Sequence, residues 1–346
     1  MSSADSHRVG VLGASGFAGA ELMRLCAGHP SFEIVFASAE SQAGVQVGSL
    51  YPSLAADYPD MEFRKWEEVP EGLDVVFVAL SHGVSQEVIP HLVAKHIIDL
   101  GADFRLDDPD LYPRWYGWEH ATPELLDDFV AGVPELFRDE IRGAPAVAVP
   151  GCYVTTATLA LAPLLAAGLI EATGIVVNGV SGVSGAGRGA TAGTSFSAAN
   201  ENFAPYGLLD HRHTPEMEMI LTRIAGEQTE LLFTPHLAPM TRGILATCYA
   251  RPSGDHHTED LLEAMALQYA GEPFVSVLTG IPSTKATLGS NAVHMTARRD
   301  QRTGWVVAIA ALDNLVKGAS GQAMQCANLA IGIDEASGLV SAGLYP

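Results

Sequence analysis

Short apolar runs alternate with helically spaced stretches through the first 150 residues. Residues 7–12 (HRVGVL), 32–38 (FEIVFAS), 73–80 (LDVVFVAL), 96–100 (HIIDL) and 146–149 (AVAV) are apolar and rich in β-branched or aromatic side chains, which predicts buried strands. Residues 20–27 and 84–94 carry helical spacing between them. Strands alternating with helices imply right-handed crossovers and a parallel sheet. The texture changes after residue 150. An apolar helical pattern runs over 154–169, and a strand at 174–180 feeds a Gly/Ser/Ala-rich loop at 181–199. A helix is expected at 214–224. Strand patterns follow at 231–233, 244–250, 274–278, 292–297 and 305–311, and a last helix at 322–331. Many strands with few helices between them predict a largely antiparallel sheet.

Composition sets bounds on this picture. A chain of 346 residues is long enough for two domains and for a core that needs no disulfide. The hydrophobic fraction of 48% and the charged fraction of 17% belong to a folded protein. The net charge of −21 excludes nucleic acid as a partner. It also means that an anionic ligand needs a local pocket of arginines and backbone N–H groups. Cys26, Cys152, Cys248 and Cys326 form no CxxC pair, so reduced thiols and a cytoplasmic setting are expected. The start, MSSADSHRVGVLG, lacks the charged and apolar regions of a secretory signal. Pro145, Pro150, Gly151 and Pro163 break the most apolar stretch, 144–170, so no membrane span is expected.

Candidate chemistry begins at Gly13-Ala14-Ser15-Gly16-Phe17-Ala18-Gly19, between the first strand and the first helix. The glycines permit a tight turn and close backbone approach, and the helix N-terminus receives a pyrophosphate. The expected fold is therefore α/β: a Rossmann-type parallel sheet at 1–150, then an α+β domain with a largely antiparallel sheet at 151–317. Cofactor choice is read where the second strand ends. Ser38 and Ser41 suit a 2′-phosphate, Glu40 lies slightly beyond, and no arginine is adjacent in sequence. From these residues alone the preference for NADP over NAD stays open.

Cys152 stands in Pro150-Gly151-Cys152-Tyr153, at the mouth of the 154–169 pattern. A helix N-terminus favours the thiolate, the nucleophilic form. The other three cysteines lie inside apolar patterns and read as core. In His211-Arg212-His213-Thr214-Pro215-Glu216, Thr214 fits an N-cap with Pro215 following. Both histidines are then placed just ahead of a helix, where one of them suits proton transfer with Cys152. Two histidines without a partner cysteine or an HExxH pattern argue against a metal. The segment Ser181 to Arg188 (SGVSGAGR) combines an N–H-rich loop with one cation. Arg105, after the fourth strand, and Arg242, in Pro-Met-Thr-Arg-Gly, are further anion ligands. A plain structural salt bridge is the competing role of each arginine.

With these residues in place, the chain resembles the N-acetyl-γ-glutamyl-phosphate reductase family, in the aspartate-semialdehyde-dehydrogenase-like group. The resemblance runs nearly end to end, through GASGFAGAE, GADFRL, PGCY, GVSGAGR, HRHTPE, PHLAPMTRG and DNLVKGASGQAMQ. One departure is Cys326, where a polar residue near the cofactor is expected. The resemblance implies NADPH-dependent reduction of N-acetyl-γ-glutamyl phosphate to N-acetylglutamate 5-semialdehyde and phosphate, in arginine biosynthesis. It implies Cys152 as the nucleophile and His213 as the acid/base, with His211 as runner-up in that role and more directly a substrate contact. Arg105 and Arg188 would hold the substrate carboxylate or phosphate, joined as candidates by Ser181 and Arg242. It also implies that the stretch from Lys317 to Gln322 returns to the cofactor, so the C-terminal part, about 318–346, joins the first domain. A homodimer or homotetramer is the usual state in such enzymes. The rival readings are a related reductase acting on aspartyl or carrier-linked aminoadipyl or glutamyl phosphate, a phosphorylating dehydrogenase of the glyceraldehyde-3-phosphate type, and a non-enzymatic NADP-binding sensor.

Overall fold

A computed structural model of the chain describes residues 6–345. The chain divides into two compact units. One comprises the residues through Pro150 together with Ala319–Leu339; the other comprises Gly151–Gly318 and the residues from Val340.

The first unit is built on β1 (His7–Leu12), β2 (Phe32–Ala37), β3 (Leu73–Val78), β4 (Ala94–Asp99), β5 (Phe129–Ala131) and β6 (Ala146–Ala148). Their order is β2-β1-β3-β4-β6-β5, and every pairing is parallel. All six strands therefore end on one edge, which gathers the loops after them. Val9, Val11, Val75, Val76, Phe77 and Ile98 are almost or wholly buried, as expected for a sheet covered on both faces. The helix expected over 84–94 is instead one turn at Ser85–Val88 and a 3₁₀ turn at Ile89–His91. Pro90 lacks the N–H that a longer helix needs, and β4 starts at Ala94 to pair with Leu73. The last helix, Gly321–Ile331, packs on the Phe17–Ala27 and Pro134–Ile141 helices and on β4. Apolar periodicity did not reveal β5 or the Pro134–Ile141 helix, which are short.

The second unit contains β7 (Ile175–Gly182), β8 (Ala204–Pro205), β9 (Leu231–Ala238), β10 (Ile244–Ala250), β11 (Val275–Val277), β12 (Val293–Arg299) and β13 (Val306–Leu312). The order is β11-β12-β13-β10-β7-β9-β8. Four pairings are antiparallel; β7–β9 and β11–β12 are parallel. The Cys152–Ala166 helix lies on β10 and β13 beside the His213–Ala225 and Thr258–Gln268 helices. It is buried nearly all round, which its uniformly apolar sequence requires. Two of its internal hydroxyls are absorbed by the helix backbone: Thr156 Oγ1 donates to the Cys152 carbonyl at 2.8 Å, and Thr158 Oγ1 donates to that of Val154 at 2.7 Å. The loop expected from residue 181 starts only after Gly182, because Ser181 still pairs with Ile244 and Leu237. No helix among the described residues is long and apolar enough to cross a membrane.

Candidate functional site

The glycine turn follows β1 at the carboxyl edge of the parallel sheet. Gly13 has φ +75°, and a Cβ there would run into the Ala79 carbonyl, so this turn requires glycine. A Cβ on Gly19 would overlap the Gly13 carbonyl, whereas one on Gly16 would meet only that oxygen, at 3.4 Å. Gly16 caps the Phe17–Ala27 helix without a side-chain bond, and no acid occupies its first turn, which begins with Phe17 and Ala18. Open backbone N–H groups and the positive helix end fit a pyrophosphate. Tyr51 Oη donates to the Ser15 carbonyl at 2.7 Å, and Ser320 Oγ donates to that of Ala18 at 2.8 Å. The second bond brings the start of the last helix to this turn. Gln322 is fully buried in its first turn, and so is Cys326 one turn on.

Ser38 is buried, and its Oγ accepts the Gly13 N–H at 3.4 Å. Its side chain therefore supports the glycine turn. Ser41 is exposed on the neighbouring Glu40–Gln42 turn. The Glu40 carboxylate accepts the Trp66 N–H at 3.0 Å. A parallel bridge joins Ser38 to Arg64, whose exposed guanidinium faces Glu68 at 3.6 Å. Sequence spacing could not show this cation, because backbone pairing across 26 residues brings it to the end of β2. Arg105 lies beyond β4, and its Nη2 donates to the Leu100 carbonyl at 2.8 Å.

The thiol site lies in the second unit. Cys152 is the first residue of its helix, is partly exposed, and follows Gly151 in extended geometry. Cys26, Cys248 and Cys326 are buried, and burial pushes the Cys26 and Cys248 thiols up, Cys248 to about 12. A Cβ on Gly151 would overlap the His213 ring, and one on Gly318 would meet Cys152 Cβ at 2.8 Å. Glycine at Gly151 and Gly318 thus allows the imidazole and the 316–318 backbone to close on Gly151 and Cys152. Glu216, buried one turn after His213, accepts the Gly151 N–H at 2.9 Å. The sequence shows Glu216 within HRHTPE but not its place as acceptor, which only the fold supplies.

The helix carrying these groups starts at His213, one residue earlier than expected. Thr214 is not its cap. Arg212 holds the cap position without a side-chain bond, and His211 before it accepts the free N–H groups: its Nδ1 accepts the His213 N–H at 3.2 Å and its carbonyl accepts the Thr214 N–H at 3.0 Å. This fixes the neutral His211 ring with its proton on Nε2. Burial, aided by the Arg212 charge, pushes the His211 pKa down to about 4. His211 is therefore a hydrogen-bond donor across the neutral range. The two rings lie 4.6 Å apart, and Tyr153 packs edge-on to both at 5.9 Å. Tyr153 Oη donates to the His236 carbonyl at 2.9 Å. Gly179 leaves room for its ring, because a Cβ there would overlap it.

The other anion candidates are arranged unequally. Ser181 is buried and its Oγ donates to the Gly182 carbonyl at 3.1 Å. Arg242 stands 3.7 Å from Asp313. Asp313 is fully buried and also accepts N–H bonds from Gly289, Leu315 and Val316. Asn314 links the two loops: its Oδ1 accepts the Gly243 N–H at 2.7 Å and its Nδ2 donates to Ser184 Oγ at 3.0 Å. Arg188 is exposed in the turn beyond. Lys317 is fully buried, with Nζ 6.0 Å from the Phe274 ring centre. Among the described residues, no three His, Cys, Asp or Glu side chains are grouped to hold a metal.

Comparison with known proteins agrees with this division. Residues 8–144 match the family described as semialdehyde dehydrogenase, NAD binding domain, and residues 152–314 match semialdehyde dehydrogenase, dimerisation domain. An N-acetyl-γ-glutamyl-phosphate reductase from Symbiobacterium thermophilum is 47% identical over 98% of this chain and 99% of its own length. The reductase of that name from Thermus thermophilus is 48% identical over 98% and 100%. Aspartate semialdehyde dehydrogenase II from Vibrio cholerae superposes with a TM-score of 0.71 at 18% identity, covering 94% of this chain and 98% of the other. Aspartate semialdehyde dehydrogenase with NADP from Candida albicans gives 0.70 at 17% identity, with the same coverage. The two structural likenesses show a shared fold.

Proposed function

The chain belongs to the N-acetyl-γ-glutamyl-phosphate reductase family, and from that premise we propose that it reduces N-acetyl-γ-glutamyl phosphate to N-acetylglutamate 5-semialdehyde and phosphate, with NADPH, in arginine biosynthesis. The observation that carries the reading is the thiol at a helix start with an imidazole packed on the peptide before it. Cys152 Sγ attacks the acyl carbonyl, and the C–O bond to phosphate breaks, leaving a thioester. The nicotinamide cofactor, when bound, supplies the hydride that this thioester accepts. His213 donates a proton to the resulting thiohemiacetal oxygen. It takes that proton back as the C–S bond breaks and the aldehyde leaves. His211, neutral and donating from Nε2, orients the substrate. Ser181, Arg188 and Arg242 bind its carboxylate or phosphate, and Arg105 is the corresponding cation of the first unit.

The glycine turn from Gly13 to Gly19, with Ser15, Gly16, Phe17 and Ala18 at the helix start and Gln322 on the last helix, holds the dinucleotide. Ser38 keeps the turn in shape. Ser41 and Arg64 form the adenosine corner, where Arg64 exchanges Glu68 for a 2′-phosphate. Arg64→Ala is therefore expected to raise KM for NADPH by roughly tenfold while leaving that for NADH nearly unchanged. An equal rise for both cofactors would place the adenosine corner elsewhere. The protein acts as a soluble cytoplasmic homodimer or homotetramer.

The reaction is tested in reverse. Protein, phosphate, NADP and N-acetylglutamate semialdehyde should give phosphate-dependent NADPH absorbance, with aspartate semialdehyde silent in a parallel cuvette. Activity with the second aldehyde alone would keep the thioester chemistry and change the substrate. Silence with both would favour a carrier-linked substrate or a sensor.

A further inference from the structure

Two aspartates that the mechanism does not use meet inside the first unit. Asp99 ends β4, and Asp103 lies in the loop that leads to Arg105; both are fully buried. Ser85, also fully buried, lies between them, with Oγ 2.9 Å from Asp103 Oδ2 and 3.3 Å from Asp99 Oδ2. Gly101 closes over all three: a Cβ there would come within 2.5 Å of Ser85 Oγ, 3.0 Å of Asp99 and 3.3 Å of Asp103.

The count of protons decides the state of this cluster. A serine hydroxyl has one hydrogen to donate, yet two carboxylate oxygens lie against it. Asp103 Oδ2 is the nearer and also accepts the Gly83 N–H at 3.0 Å. Ser85 therefore donates to Asp103, and the contact with Asp99 needs a second proton. We propose that Asp99 is held as the neutral acid, donating to Ser85 Oγ, and that this Asp99–Ser85–Asp103 chain is the positioning device for the 99–105 loop and its Arg105. The consequence for turnover rests on the reading of Arg105 as a substrate ligand; the proton assignment does not.

The charged surroundings agree with this state. Burial first, and then the Asp103 charge, push Asp99 up to about 7, against the Gly101 N–H, Arg105 and Ser85. Asp103 is raised by burial but held back by Ser85, the Gly83 and Gln86 N–H groups and the nearby His120. Because Asp99 is raised in the folded state, its contribution to stability is full below the ordinary carboxylate range. It is lost as pH rises through about 7. Above that point two facing carboxylates share one donor, and the loop loosens.

The test is infrared difference spectroscopy of the whole protein, wild type minus Asp99→Asn, at about pH 6 and about pH 9. A protonated-carboxyl carbonyl band is expected at the lower pH and should vanish at the higher. Asp99→Asn, whose amide donates to Ser85 permanently, should keep KM within about twofold and lose the fall in thermal stability through neutrality. Asp99→Ala should raise substrate KM by roughly tenfold with kcat little changed, the cost of an orphaned buried group. Absence of the band at the lower pH overturns the proton assignment, whatever the enzyme's substrate and even if the alanine variant does not fold. A band with unchanged KM in Asp99→Ala overturns the positioning role alone.

Discussion

Cys152→Ala is expected to lower turnover by at least about 10⁴-fold, because no other thiol can replace the proposed covalent nucleophile. The remaining thiols are no substitute. Cys26, Cys248 and Cys326 are buried, and burial holds Cys26 and Cys248 in the neutral thiol form. Cys152 alone pairs a helix start with partial exposure. NADPH binding should be unchanged in this variant, because the glycine turn belongs to the other unit. Rapid mixing of wild-type enzyme with the acyl phosphate in the absence of NADPH should release close to one phosphate per Cys152. The alanine variant should release none. Steady turnover in the variant, measured by aldehyde formation, would remove the thioester from the mechanism.

Much of the local geometry around the candidate residues of each unit is visible in the sequence because its parts are local. The Gly13 turn, Cys152 at a helix start and the two histidines lie within a few residues of the element ends that position them. Strand periodicity likewise located the elements that carry them. Beyond short elements such as the Pro134–Ile141 helix, what the sequence hides around the candidate residues depends on contacts between distant segments. Arg64 reaches the end of β2 through a bridge to Ser38. Ser320 reaches Ala18 across 302 residues. Glu216 is an ordinary first-turn acid in sequence, and only the fold shows that it accepts the Gly151 N–H. The expected Thr214 cap follows the usual preference at helix starts, but the helix begins one residue earlier behind Arg212, and the His211 side chain accepts its first N–H. The position of Ser38 suits a phosphate ligand, whereas its hydroxyl turns inward to Gly13.

Gly151→Ala is expected to lower kcat by about 10²-fold while leaving the fold and NADPH binding intact. Gly151 has φ −63°, so alanine brings no backbone strain. The entire effect comes from the added methyl, which would occupy the position of the His213 ring. The imidazole must then leave its place against Gly151, and displacement of the proposed proton carrier by about 1 Å costs on that order. His213→Asn should cost between about 10² and 10⁴-fold by removing the proposed proton carrier itself. The two changes act on one contact, so the double variant should be scarcely worse than His213→Asn alone. Multiplicative loss in that cycle would mean that His213 works without its packing on Gly151. The pH dependence of Cys152 alkylation by iodoacetamide gives a second readout. Both single variants should shift it, because each withdraws the imidazole from the thiol, whereas a change in packing elsewhere would leave it where it was.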